Sequence, residues 1–81
     1  MDESMLTAVD RDVVVNLLIN GDNLPSNIAE NTDRHVTSVS RRLAELDDQG
    51  LAENKGSGVW TLTLDGIVVA RTVRRSDESS S

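Results

Sequence analysis

The chain has 81 residues, which is enough for one small domain, and Trp60 is its only aromatic residue, so the core must be aliphatic. The absence of cysteine excludes disulfide bonds and thiolate zinc sites. Fourteen acidic residues against eight basic ones give a net charge of −6, opposite to the usual charge of a DNA-binding domain. Composition alone therefore leaves open an acidic domain with no role in nucleic-acid binding.

The two ends of the chain are expected to lie outside the domain. Residues 1–5 predict a flexible N-terminus, and residues 76–81 predict a disordered acidic tail. The N-terminus lacks the basic and apolar regions of a signal peptide, and no apolar run approaches the roughly 20 residues that span a bilayer. We therefore expect residues 6–75 to form one domain of a cytoplasmic protein.

Two helices are predicted first along the chain. Apolar residues at helical spacing predict a helix over residues 8–20, with Thr7 and Asp10 capping its start and Gly21 ending it. The single proline fits the first position of a short second helix over residues 26–31.

A third helix is predicted to start between Asp33 and Val36, with Asp33 or His35 as its cap, and to end at Gln49. Its apolar residues fall on one narrow stripe that would face the core. This predicted stripe consists of Val36, Val39, Leu43 and Leu46.

After Gly50 the apolar pattern changes from helical to alternating, which predicts a β-hairpin with strands over residues 51–55 and 59–64. A last helix over residues 65–75, capped by Thr63 or Asp65, carries more apolar residues than one face can bury. One face of the hairpin is predicted to carry Trp60, Leu62 and Leu64.

The order helix, short helix, longer helix, hairpin, helix is that of a winged helix, and individual motifs follow the same order. These motifs are Ile28-Ala29-Glu30, Val39-Ser40-Arg41-Arg42-Leu43, Leu46, Gly50-Leu51, Trp60-Thr61-Leu62-Thr63 and Gly66. Over residues 6–73 the set resembles the pattern of prokaryotic winged helix-turn-helix transcription regulators. Ala52 and Trp60 depart from that pattern, in which valine and tyrosine are more common.

This resemblance implies an α+β, mainly α, fold with a three-helix core, a β-hairpin wing and a C-terminal helix. Asp33-Arg34-His35 and the lysine-poor acidity are similar to a haloarchaeal group of phage-repressor-like regulators, which implies a halophilic archaeal source. The function implied is sequence-specific binding of double-stranded DNA, with the third helix in the major groove and the wing on the backbone or minor groove.

Charge along the third helix favours this function, because residues 34–44 contain three arginines and one histidine but no acid. We expect Thr37, Ser38 and Arg41 to face DNA, with Arg41 donating two hydrogen bonds to a guanine. The alternative for Arg41 is an ion pair with Glu45 on a solvated face. The hypothesis requires the three arginines to form an outward cationic ridge, and it is overturned if carboxylates neutralise these guanidinium groups or another subunit covers the ridge.

The remaining candidate residues each have a structural alternative. Arg42 would contact a phosphate or form an internal ion pair with an acid such as Glu30. Hydroxyls of Ser40 and Thr37 suit phosphate oxygens but are often merely hydrated. His35 would reach a phosphate or cap the helix. Arg34 is expected to flank the DNA-facing residues.

The hairpin tip carries the only lysine of the chain and is either a DNA-contacting wing tip or an ordinary turn. Its residues are Lys55, Gly56, Ser57 and Gly58. Spare apolar surface on the last helix predicts a homodimer through the first and last helices. Three flanking arginines would pair with acids of the other subunit, and these are Arg71, Arg74 and Arg75.

No enzyme activity is predicted, since the chain lacks cysteine, tyrosine and a phosphate-binding glycine loop, and its one histidine has no partnered nucleophile. No cofactor, metal or small-molecule ligand is indicated. The alternative function is a winged helix that binds another protein through its acidic surface.

Overall fold

The computed structural model describes residues 6–79, which form four helices and one antiparallel hairpin. The predicted flexible N-terminus, residues 1–5, lies outside the described residues, as do residues 80–81. The mainly helical α+β class and the predicted order of elements are confirmed. The elements are α1 (Ala8–Asn20), α2 (Pro25–Thr32), α3 (Val36–Asp48), β1 (Ala52–Asn54), β2 (Trp60–Leu62) and α4 (Leu64–Ser79).

Helix α1 has the predicted bounds because side chains satisfy its first free amides. The Thr7 hydroxyl accepts a hydrogen bond from the Asp10 amide at 3.1 Å, and the Asp10 carboxylate accepts one from the Thr7 amide at 3.0 Å. Gly21 ends the helix at a φ of 80°, a left-handed value that favours glycine. The predicted cap and stop are therefore both confirmed.

The start of α3 differs from its prediction. Asp33, one of the two predicted caps, instead ends α2 in the left-handed conformation with a φ of 56°. His35 occupies the position before α3, but its side chain caps no amide. Val36 is 47% exposed rather than buried, because it is the first helical residue and the core begins one turn later at Val39.

The core is formed where α1 packs against the other three helices, with α2 also lying against α3. Trp60 and Leu62 of the hairpin pack against this cluster while remaining partly exposed. The buried members are aliphatic, as the composition required: Leu6, Val13, Val14, Leu17, Ile28, Ala29, Val39, Leu43, Leu46, Leu51, Ala52, Ala70 and Val73.

The hairpin is shorter than predicted, with three residues in each strand. Ala52 pairs with Leu62 at one end of the register and Asn54 pairs with Trp60 at the other. The Trp60 backbone also exchanges two hydrogen bonds with Asn23, of 2.8 and 3.0 Å, in the α1–α2 loop. The wing is therefore joined by its backbone to the loop that precedes the helix-turn-helix.

Leu64 is not part of the second strand, and its predicted place on the inner face was wrong. The Thr63 hydroxyl accepts a hydrogen bond from the Gly66 amide at 3.0 Å and donates one to the Gly50 carbonyl at 2.7 Å. Thr63 thereby caps α4, as predicted, and the helix begins at Leu64, whose side chain is 83% exposed. The helix continues to Ser79, into the segment 76–81 that was expected to be a disordered tail.

Gly66 marks the closest approach of α4 to the hairpin. A Cβ atom at this position would overlap the carbonyl oxygen of Leu51 and lie 2.9 Å from its carbonyl carbon. Since both are backbone atoms, no side-chain rotation relieves the clash. The glycine therefore allows α4 to pack directly on the chain that leads into β1.

Replacement of Gly66 with alanine is expected to destabilise the fold by about 1–3 kcal/mol through overpacking. The sign of this change in the free energy of unfolding is informative, because replacement of glycine by alanine normally stabilises a helix interior by roughly 0.5–1 kcal/mol. Urea unfolding followed by circular dichroism would measure the change. Thr72→Ala on the exposed side of the same helix is the control and should stay within about 0.5 kcal/mol; a Gly66→Ala variant as stable as the wild type would contradict the close approach.

Candidate nucleic-acid interface

Helix α3 presents a polar face to solvent because its other face is fixed in the core. Val39, Leu43 and Leu46 are fully buried and set the rotation of the helix. The polar residues of the first two turns are consequently exposed, and they are Thr37, Ser38, Ser40 and Arg41. The structure thus places the predicted DNA-facing residues on one accessible surface.

Arg41 stands in the middle of this surface. Within residues 6–79 its guanidinium forms no ion pair, and the alternative pairing with Glu45 four residues later is not made. All five guanidinium N–H donors are therefore available to an external acceptor. A planar fork of this kind matches two adjacent acceptors on a guanine edge or a phosphate.

Arg42 points the other way and enters the domain. Its Nε donates to Asp10 Oδ1 at 2.7 Å and its Nη2 donates to Asp10 Oδ2 at 3.0 Å, while the Asp10 side chain is fully buried. Of the two alternatives, the internal ion pair is the one observed, with Asp10 rather than Glu30 as partner. The hydrogen bonds to Asp10 raise the pKa of Arg42 above its ordinary value, so the Arg42 guanidinium stays charged.

Arg34 is also paired. Its Nε and Nη2 lie 2.8 and 2.7 Å from the same oxygen of Asp12 on α1. The predicted cationic ridge of three arginines is therefore wrong as a continuous feature, since carboxylates of α1 neutralise Arg34 and Arg42. Of these three arginines, Arg41 alone keeps an unpaired charge within the described part of the chain.

The wing tip holds the fourth predicted cation. Lys55 Nζ lies 2.8 Å from Asp22 Oδ2 in the α1–α2 loop. The hydrogen bond between Asp22 and Lys55 is the main reason that the pKa of Asp22 lies below its ordinary value of 3.8, and a hydrogen bond between Asp22 and Thr61 adds to this effect. The hydrogen bond to Asp22 also raises the pKa of Lys55. Both groups are therefore charged at neutral pH.

The turn itself is formed by three successive residues with positive φ. Gly56 and Gly58 have φ values of 99° and 79°, and Ser57 between them has a φ of 56°. The Asn54 side chain accepts a hydrogen bond from the Gly56 amide at 2.7 Å, which fixes the start of the turn. Ser57 is therefore exposed at the end of the wing, as predicted.

Sequence reasoning missed the acids that pair with these cations. Asp10, Asp12 and Asp22 are 32, 22 and 33 residues away from their partners along the chain. Short-range spacing rules find only pairs three or four residues apart. Asp10 was recognised as a capping residue, but its second role as the partner of Arg42 depends on the packing of α3 on α1.

A metal-binding cluster and a membrane-spanning helix are both absent from residues 6–79. Between residues 6 and 79 no group of three or more histidine, aspartate and glutamate side chains is placed to hold a metal ion. None of the described helices combines the length and apolar character needed to cross a membrane. Arg71, Arg74 and Arg75 line an open groove with Leu18, between α4 and α1.

Comparison with solved structures defines the fold as a winged helix. The structure is similar to a MarR family regulator from Neisseria meningitidis, with a TM-score of 0.81 and 23% identity over 94% of this chain and 58% of that one. It is also similar to a variant of ZitR from Lactococcus lactis, with a TM-score of 0.82 and 22% identity over 93% of this chain and 55% of that one.

A third similar structure is a variant of MarR from E. coli complexed with operator DNA, with a TM-score of 0.72 and 17% identity over 86% of this chain and 54% of that one. This chain therefore spans between 54% and 58% of the length of these proteins. No protein-family model and no curated protein matches the sequence. The similarity at this level of identity establishes the winged-helix architecture.

The adjacent arginines of α3 provide a matched pair of variants. Arg42→Met is expected to destabilise the domain by about 3–5 kcal/mol, because it leaves the buried Asp10 carboxylate without its partner. Arg41→Met removes the same charge from the solvent face and should change the free energy of unfolding by less than about 0.5 kcal/mol. Chemical unfolding at neutral pH would compare them, and equal effects of the two variants would contradict the assignment of a buried ion pair.

Proposed function

We propose that this chain is a sequence-specific regulator that binds double-stranded DNA, with α3 in the major groove and the wing on the backbone or minor groove. The observation that carries the proposal is Arg41 on the polar face of α3, which is exposed and forms no ion pair with any other residue of 6–79. The major groove is about 12 Å wide and admits an α-helix. The proposed activity is binding without catalysis.

The winged-helix architecture supports the proposal. In helix-turn-helix proteins the second helix of the pair enters the major groove, and here that helix is α3. The similar MarR structure from E. coli is itself complexed with operator DNA. Architecture alone is weak support, since one fold serves several functions, so the proposal depends on the side chains of α3.

The exposed residues of the interface have different proposed roles. Arg41 donates to guanine O6 and N7, a contact worth about 1–3 kcal/mol of discrimination between bases. Small hydroxyl side chains beside it contact phosphate oxygens or base edges. Arg42 serves as a positioning residue, because its guanidinium is bound to Asp10. The proposed phosphate or base contacts are Arg34, His35, Thr37, Ser38, Ser40, Lys55 and Ser57.

The second candidate function is a winged helix that binds a protein through its acidic surface. The ion pairs of Arg34 and Lys55 favour it, because they reduce the positive charge on the surface where DNA would lie. The net charge of −6 adds to this argument. Arg41 distinguishes the two candidates, since an acidic docking surface has no need of an exposed guanidinium.

Replacement of Arg41 tests the proposed function. After selection of a preferred site from random DNA, Arg41→Ala should lose about 10- to 100-fold in affinity for that site, the equivalent of a bidentate base contact. Arg41→Lys keeps the charge but lacks the planar fork, so it should retain binding to a mixed-sequence duplex and lose preference for the selected site. Electrophoretic shift assays in potassium chloride at moderate and molar concentrations would measure both. Unchanged affinity of Arg41→Ala would refute the role of this residue and favour the protein-binding candidate.

We further propose that the regulator is a homodimer formed through the outer faces of α1 and α4. Leu64 and Val68 are 83% and 65% exposed one helical turn apart on α4. A two-fold axis through this face would place two α3 helices about 34–36 Å apart, one turn of DNA. In this proposal Arg71 and Arg75, which line a groove beside Leu18, pair with acids of a second subunit.

Charge placed on the exposed face of α4 should dissociate the dimer. Val68→Glu is expected to shift the sedimentation coefficient from dimer to monomer, because a buried unpaired carboxylate at an interface is strongly unfavourable. Leu24→Glu adds the same charge at an exposed apolar position outside α1 and α4, and should leave the assembly unchanged. A wild-type protein that sediments as a monomer at high concentration would contradict the proposed dimer.

A further inference from the structure

Two carboxylates outside the proposed DNA-binding surface hold two of its cations. Asp12 projects from α1 to Arg34 in the α2–α3 loop, with contacts of 2.7 and 2.8 Å. Asp22 projects from the α1–α2 loop to Lys55 at the wing tip, with a contact of 2.8 Å. The two pairs therefore lie at the two places, beside α3 and on the wing, where a winged helix meets the DNA backbone.

These pairs differ in solvent access from the pair of Arg42 and Asp10. The side chains of Arg34 and Asp12 are 33% and 45% exposed, and those of Lys55 and Asp22 are 53% and 40% exposed. The Asp10 side chain, by contrast, is fully buried. Exposed ion pairs contribute little net stability, so they open readily. Arg34 and Lys55 can therefore exchange a carboxylate for a phosphate, while Arg42 remains in place.

A phosphate offers these cations the same chemistry as a carboxylate. Both anions accept short charge-assisted hydrogen bonds from guanidinium and ammonium groups. Each exchange, however, leaves a negatively charged aspartate beside the bound phosphate. The net attraction gained at Arg34 and Lys55 is then smaller than for a cation without an acidic neighbour.

We propose that Asp12 and Asp22 set the strength and the salt dependence of backbone binding by this protein, on specific and non-specific DNA alike, by competing with phosphates for Arg34 and Lys55. This inference depends on the proposed DNA-binding function. Contacts to phosphates carry no sequence information, whereas base contacts such as that of Arg41 do. By weakening the phosphate contacts, the two aspartates reduce binding to every sequence alike and leave the base contacts a larger share of the binding energy.

The competition has a measurable effect on salt dependence. Each cation that neutralises a phosphate of duplex DNA steepens the plot of log affinity against log salt by about 0.9. A cation already neutralised by an aspartate contributes less than this amount. Removal of either aspartate charge should therefore restore close to one unit of slope.

The test uses the full chain and a short duplex of mixed sequence, with fluorescence anisotropy measured over a series of potassium chloride concentrations. Asp12→Asn and Asp22→Asn should each steepen the slope of log affinity against log salt by about 0.9. The ratio of the variant's affinity to that of the wild type should therefore grow about eightfold for every tenfold dilution of salt. The double variant should steepen the slope by about 1.8. On the selected site both variants should gain affinity by the same factor as on the mixed duplex, because the phosphate contacts are common to both.

Asp65→Asn is the matched control, because Asp65 is exposed on α4 and forms no ion pair within residues 6–79. It changes the net charge by the same amount and should leave the slope within about 0.2 of the wild-type value. The double variant Asp12→Asn with Arg34→Gln is a second control. It should lose the steeper slope of Asp12→Asn, because the cation that Asp12 pairs with is no longer present. Circular dichroism verifies that each variant is folded.

The outcomes separate this inference from the function on which it depends. Wild-type protein that binds the duplex, with slopes unaltered by Asp12→Asn and Asp22→Asn, would overturn the role of the aspartates and leave the DNA-binding function standing. An equal steepening in Asp65→Asn would also overturn it, because the effect would then belong to overall charge. Wild-type protein that binds neither duplex would overturn both.

Discussion

The buried carboxylate of Asp10 connects the elements on which the proposed interface depends. Its two oxygens accept hydrogen bonds from the Thr7 amide and from two nitrogens of Arg42, so one side chain caps α1 and holds α3. A buried ion pair adds little net stability compared with an apolar pair, but the loss of one member is costly. Its main effect here is to fix orientation. With Arg42 held inward, the neighbouring Arg41 must lie on the solvent side of the helix.

The acidic charge of the chain and its proposed binding to a polyanion are reconciled by the placement of a few acids. Among residues 6–79, three cations near α3 and on the wing are each matched by an aspartate, and the guanidinium of Arg41 on α3 is not. At molar salt the Debye length is about 3 Å, which weakens exposed pairs far more than the buried one. Under such conditions a short-range, directional contact to a base retains its strength when long-range attraction is screened.

Local rules predicted the parts of the fold that depend on local interactions. The bounds of α1 follow from Thr7, Asp10 and Gly21, which act within one turn of the chain. Leu64 was predicted to belong to the second strand because it continues the alternating apolar pattern. In the structure it begins α4, because the Thr63 hydroxyl donates to the Gly50 carbonyl and caps the first turn of the helix. The exposed face of α3 was predicted from its apolar stripe. The charge state of that face was not, because the partners of Arg34 and Arg42 lie on another helix.

The attachment of the hairpin to the rest of the domain has a mechanical consequence. The two hydrogen bonds between Asn23 and Trp60 use only backbone groups, so they impose no requirement on either side chain. Because they join β2 to the loop between α1 and α2, the hairpin is anchored to the domain along its length as well as at its two ends. The separation between the hairpin and α3 is therefore set by the backbone and is insensitive to which side chains occupy positions 23 and 60.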